Sequence, residues 1–116
     1  MFIEEVIIPN YLPLGYEKAS SELGRRYAQT VWNNNGNEIK LRQIPIRGSK
    51  VLIDLTAKKE ILADKTVYYV EKSEYSLVTF YDDDYIFTIT ACPTLDRAEL
   101  EKIIESIFDS KHIASN

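Results

Sequence analysis

The chain has 116 residues, with 14 basic and 18 acidic side chains, one cysteine, one histidine and a formal net charge of −4. That length admits one domain (1–116) whose core buries roughly two-thirds of the unfolded surface, and 45% apolar with 28% charged residues is ordinary globular usage, which excludes disorder and fibrous repeats. A lone Cys92 and a lone His112 exclude a disulfide framework, a thiolate zinc site and a histidine-rich metal centre, so neither metal nor cofactor is expected.

No run reaches the roughly 18 apolar residues of a membrane span, and the first residues lack the basic stretch, apolar core and cleavage site of a signal peptide. A soluble domain with no span in this chain is expected. The charge is uneven: residues 1–50 hold seven basic and five acidic side chains, residues 51–116 seven and thirteen. The basic excess sits in Arg25, Arg26, Lys40, Arg42, Arg47 and Lys50. Lys40 and Arg42 alternate with Ile39 and Leu41, the pattern of the solvated side of a strand. With an acidic second half, nucleic-acid binding is not expected.

Residues 1–16 contain Pro9, Pro13 and Gly15 among large apolar residues and predict an extended, turning entry, because each proline pushes its predecessor out of the helical region. A strand starts at Tyr16 to Ser20. Arg26 to Trp32 is rich in β-branched and aromatic types, Asn33 to Gly36 supplies residues tolerant of positive φ, and Glu38 to Ile44 alternates. These make a hairpin. Pro45 to Leu55 is less regular, with a turn at Arg47-Gly48-Ser49 and an apolar run, Val51-Leu52-Ile53, that periodicity does not assign.

From Ala57 the strand pattern resumes: Glu60 to Ala63, a turn at Asp64-Lys65, Thr66 to Glu71, a turn at Ser73-Glu74, Tyr75 to Tyr81, a turn at Asp82 to Asp84, then Tyr85 to Ala91. Turns about ten residues apart mark an antiparallel meander over 17–91. In the last strand Tyr85, Phe87 and Ile89 share one face, opposite Ile86, Thr88 and Thr90. Residues 95–109 form a helix. Asp96 and Glu99 have capping-box spacing, Leu95 and Leu100 staple spacing, and Leu100, Ile103, Ile104, Ile107 and Phe108 make one apolar stripe. Residues 110–116 are a fraying tail. The fold class is therefore α+β: an antiparallel meander sheet of about six or seven strands with the C-terminal helix packed on one face.

Catalytic signatures are missing: there is no phosphate loop, dinucleotide fingerprint, nucleophile elbow or paired-histidine motif. The chain is read as not an enzyme. Cys92 before Pro93 reads as a small buried or half-buried residue. Asp82-Asp83-Asp84 reads as a solvated turn, since consecutive side chains diverge and calcium loops space their ligands at alternate positions. The aromatics are the better lead. Adjacent Tyr68 and Tyr69 must point to opposite faces, one under the helix and one outward, and Tyr68, Tyr69, Tyr75 and Tyr81 are the candidate binding residues for a peptide, glycan or lipid. The competing reading is that these tyrosines pair across strands and only stabilise the sheet.

The segment Tyr11-Leu12-Pro13-Leu14-Gly15-Tyr16 resembles the opening of a bacterial domain-of-unknown-function family. The likeness continues through Trp32 before its polar turn, the strand with Gln43, the aromatic strand and acidic turn leading to Tyr85-Ile86-Phe87, and the helix from Asp96 to Phe108. The chain departs from the family at Phe80, where tryptophan is common, and at Asp82 to Asp84, where a glycine is usual. Members of that family mostly form the C-terminal, extracytoplasmic part of single-pass membrane proteins in Gram-positive bacteria, some with anti-sigma-factor-like N-terminal parts or sporulation-related relatives. The resemblance implies a non-enzymatic sensing or binding domain for a protein or small ligand, outside the membrane and tethered through a longer precursor. It supplies no catalytic residue. The alternative is a small cytoplasmic adaptor or immunity-type protein with one protein partner, which the unpaired Cys92 permits.

Overall fold

The structure is a computed structural model in which the described residues are 3, 5–50 and 53–114, the last four by backbone alone. Val51 and Leu52 of the unassigned apolar run, and the side chain of His112, lie outside what is described. The alternating segments become seven strands: β1 (Glu17–Leu23), β2 (Ala28–Asn34), β3 (Asn37–Pro45), β4 (Lys58–Leu62), β5 (Lys65–Glu71), β6 (Ser76–Tyr81) and β7 (Tyr85–Cys92). The apolar stripe becomes α1 (Arg97–Ala114). All strand pairs are antiparallel, so the fold is α+β with a seven-stranded sheet and one C-terminal helix packed on it.

The sheet is not a single meander. Its order is β1-β2-β3-β7-β6-β5-β4, two runs of hairpins joined where β3 pairs with β7 from Glu38↔Cys92 to Pro45↔Tyr85. Pro45 ends β3, and the chain then crosses to the far edge before β4 begins. Turn chemistry fixes the register of the hairpins. Asn35 (φ 49°) and Gly36 (φ 89°) form the two-residue loop between β2 and β3, and two positive φ values in succession match the right-handed strand twist. Ala63 (φ 50°) and Asp64 (φ 65°) do the same between β4 and β5, one residue earlier than the composition suggests, because Leu62 pairs with Lys65.

One face of the sheet carries the core. Leu41, Ile89, Val78 and Tyr69 follow one another across β3, β7, β6 and β5, with Gln43, Phe87, Phe80 and Val67 in the next row. Leu100, Ile103, Ile104 and Ile107 of α1 close over them, all at most 1% exposed, each contributing roughly 1.5–3 kcal/mol by burial. The helix begins with Glu99 and Leu100 N–H groups bonding the Asp96 carbonyl. Leu95 packs against the core as the staple requires. Glu99, however, does not reach back to complete a capping box: its carboxylate accepts the Tyr11 hydroxyl proton. The helix also runs to Ala114, through the first part of the segment expected to fray.

The entry segment is a strap beside α1. Ile7 is buried, and Ile3, Tyr11, Leu12 and Tyr16 pack against the core. The Gln43 side chain grips it twice, accepting from Ile7 N–H (2.9 Å) and donating to Glu5 C=O (2.8 Å), as a neighbouring strand would. Helix and strap together cover one face.

Candidate functional site

The face opposite the helix is built by the strand period of two. Side chains that alternate with the core residues stand outward, and the register aligns them across the sheet. One row reads Gln29, Arg42, Thr88, Thr79, Tyr68 and Lys59, each opposite the next on β2, β3, β7, β6, β5 and β4. The adjacent row reads Val31, Lys40, Thr90, Leu77 and Val70. On the other side Ile44, Ile86 and Tyr81 line up. Ile86 and Val70 on this face are only 5% and 4% exposed.

Both faces carry both signs of charge. On β4 and β5 the carboxylates Glu60 and Glu71 lie on the helix side, where both bind the Arg97 guanidinium, and Lys58 and Lys65 share that side. Outward stand the cations Lys40, Arg42 and Lys59, with Glu38 at the hairpin end of β3 and Glu22 of β1 opposite Gln29. Arg42 is held flat: it donates to Gln29 Oε1 (3.2 Å), and its guanidinium carbon lies 4.5 Å from the Tyr27 ring centroid. Tyr27 in turn donates to Glu22, and a β-carbon on Gly24 would fall 2.0 Å from the Tyr27 ring, so this ring needs the glycine opposite it.

The four tyrosines singled out from sequence separate. Tyr68 stands half-buried in the middle of the polar row, and Tyr81, 38% exposed, lies diagonally from it on the same face. Tyr75 sits half-buried in the turn before β6, its carbonyl accepting from Lys72 N–H. Tyr69 is 2% exposed and belongs to the core. Its register puts it opposite Val78 on the helix face, with Arg97 stacked 3.7 Å from its ring centroid, so it cannot serve an outer surface. Thr88 and Thr79, which the sequence does not single out, join Arg42 through pairing register, and Tyr27 joins through its ring contact with Arg42.

Cys92 is a second correction: it is exposed, at the end of β7 on the face opposite the helix, where it pairs with Glu38. Asp82 organises its own turn, with Oδ1 accepting from the N–H groups of Asp84 (2.7 Å) and Tyr85 (2.8 Å). Two concavities lie elsewhere. A groove of about 350 Å³ runs between Tyr11 and the helix residues Lys102, Glu105 and Asp109, and a smaller one of about 160 Å³ is lined by Lys58, Tyr69 and Glu71. Both mix charges of opposite sign.

Burial, with the Glu101 carboxylate adding to it against the opposing Arg97, pushes the Tyr69 hydroxyl up to about 12. In the unfolded chain it ionises near the ordinary value of about 10. The folded state holds the proton more tightly, so this contribution to stability is complete below pH 10 and is lost as pH rises towards 12. Urea midpoints measured across that interval should fall, and Tyr69→Phe should flatten the fall. An unchanged slope in the variant would show that Tyr69 is not the group responsible.

Residues 6–107 match a family described as Domain of unknown function (DUF4367). Neither the curated proteins nor the solved structures gave a match.

Proposed function

The chain belongs to the DUF4367 family, and on that premise we propose that it is a non-enzymatic binding or sensing domain whose recognition surface is the face of the sheet opposite the helix, within the extracytoplasmic part of a membrane-anchored bacterial regulator. The observation that carries the reading is the polar row from Arg42 through Thr88, Thr79 and Tyr68 to Lys59 on the face opposite helix and strap. Tyrosine and threonine supply contact area and hydrogen bonds at small entropic cost, which suits recognition. The extracytoplasmic setting is supported by the sequence resemblance, which spans the strap, the Gln43 strand and the capped helix. No helix among the described residues is long and apolar enough to cross a membrane.

Immobilised domain should retain a partner from an envelope extract of the source organism, and Tyr68→Ala, which removes a half-exposed ring without touching the core, should reduce recovery at least fivefold. Retention from cytosol alone would favour the cytoplasmic adaptor instead. Undiminished recovery by Tyr68→Ala and Thr79→Val would place recognition on another surface.

A further inference from the structure

The groove beside α1 fits one sequence on view, the strap, and it holds that sequence mainly by its main chain. Gln43 bonds Ile7 N–H and Glu5 C=O, and the Ser110 hydroxyl donates to Ile8 C=O. Among the described residues of the strap, only Tyr11, donating to Glu99, is held through a side-chain hydrogen bond. Ile7 is buried, and Ile3, Tyr11 and Leu12 pack against the same core. None of these contacts depends on which copy of the chain supplies the strap. The same segment of a second copy makes them all.

What separates the two arrangements is the hinge. Pro13-Leu14-Gly15 turns the chain from the strap into β1, and the turn is loosely made. Tyr16 N–H to the Pro13 carbonyl and the Asn34 amide to the Leu14 carbonyl both span 3.4 Å, longer than ordinary hydrogen bonds. Leu14 is 99% exposed, a large apolar side chain that the turn holds in water. Gly15 has φ +93°, and a β-carbon there would fall 2.8 Å from Asn34 Nδ2. An extended hinge needs neither the positive φ nor the close approach to Asn34, and two such hinges passing about a two-fold axis bring one Leu14 against the other. We propose that the domain dimerises by exchanging straps, each copy laying Glu5 to Leu12 in the groove of the other. Pairing of sheet edges, the other route to a dimer, is opposed by the bulge between Lys18 and Ser20 in β1 and by Lys58 and Lys59 in β4. The strap lies on the helix side, so a dimer of this kind leaves the proposed recognition face as it is. Within one molecule a short hinge holds the strap at an effective concentration in the millimolar range, so exchange belongs to copies crowded to about that level.

Gly15→Val tests the hinge, because valine resists positive φ and suits an extended chain. A residue forced into the left-handed region costs about a factor of ten, and the dimer relieves two of them. The dimer dissociation constant, read by analytical ultracentrifugation, should therefore fall roughly 100-fold from wild type. Deleting Leu14, which leaves the hinge one residue short of its turn, should act in the same direction. In either dimer the Ile7 amide should exchange with deuterium as slowly as in wild type, since Gln43 of the second copy bonds it. Adding Gln43→Leu should weaken the dimer at least tenfold. Amide spectra matching wild type in β6 and β7 would show that the variants fold. Monomeric Gly15→Val and Leu14-deleted chains, a dimer whose Ile7 amide exchanges freely, or one that survives Gln43→Leu would overturn the inference. Wild type should itself show the dimer at about 1 mM, and a strict monomer there would overturn it without any variant.

Discussion

Replacing Phe80 by alanine should lower the stability of the domain by about 3–5 kcal/mol, the cost of removing a buried aromatic ring and leaving its cavity. Phe80 is fully buried and lies where sheet and helix meet. Its ring stacks on Phe87 at 5.2 Å and meets the edge of Phe108 at 5.3 Å, so one substitution empties contacts on β6, β7 and α1 together. Aromatic pairs of this kind add about 0.5–1.5 kcal/mol beyond burial. Against a total stability of roughly 5–15 kcal/mol for a domain this size, much of the margin goes. The melting temperature should drop by roughly 15 °C. Phe80→Leu, which keeps most of the volume, should cost well under half as much. A loss below about 1 kcal/mol for the alanine variant would mean that α1 does not dock over Phe80.

The elements of this fold were legible because each is written locally. Ile103, Ile104 and Ile107 repeat at helical spacing, Asn35-Gly36 names its own turn, and β7 alternates apolar and threonine residues over its length. The order of the strands is not local. A meander pattern says that consecutive strands pair, and it is silent about a connection such as Ile46 to Ala57, whose length allows the chain to reach either edge. What places β7 rather than β4 beside β3 is the apolar match of Ile39, Leu41 and Pro45 to Ala91, Ile89 and Tyr85, a pairing between residues 40 to 52 positions apart. The strap is hidden for the same reason. Its extended conformation follows from Pro9 and Pro13, but its docking depends on Gln43, which sits in an unremarkable strand pattern.

The site was legible only in part. That Tyr68 and Tyr69 face opposite ways is a property of any strand, yet which one faces outward depends on the hydrophobic partners of β5. Val67 shares a face with Tyr69, and both register with Phe80 and Val78 of the core, which sends Tyr68 outward. Lys40 and Arg42 read as the solvated side of a strand, and that is where they lie. What the chain order cannot reveal is that Lys59, seventeen residues beyond Arg42 and on another strand, lies in the row of Arg42. Register across five strands gathers these groups, and no spacing along the sequence encodes it.

Gln43→Leu should detach the strap while leaving the sheet intact. Leucine has similar volume and suits the core, so a purely apolar account of position 43 predicts little change or a gain. The hydrogen bonds predict the opposite. Gln43 is 1% exposed, and its amide is the partner of both Ile7 N–H and Glu5 C=O. Ile7 is itself buried, so its N–H loses its bond with no water to replace it, at about 1–3 kcal/mol, with a further contribution from the Glu5 carbonyl. The loss of about 2–4 kcal/mol falls on a segment otherwise tied by Tyr11 to Glu99 and by the Ser110 hydroxyl to the Ile8 carbonyl. Local opening then becomes cheaper than global unfolding. Hydrogen exchange at the Ile7 amide should accelerate by at least 30-fold, a factor corresponding to about 2 kcal/mol, with amides of β6 and β7 slowed or unchanged relative to one another. Gln43→Glu separates volume from bonding: it keeps an acceptor for Ile7, loses the donor to Glu5 and buries a charge, so its strap should open more readily at neutral pH than at pH 4, where the carboxyl is protonated and donates again. Equal Ile7 exchange in wild type and Gln43→Leu would show that apolar packing of Ile7, Leu12 and Tyr16 holds the strap without the glutamine.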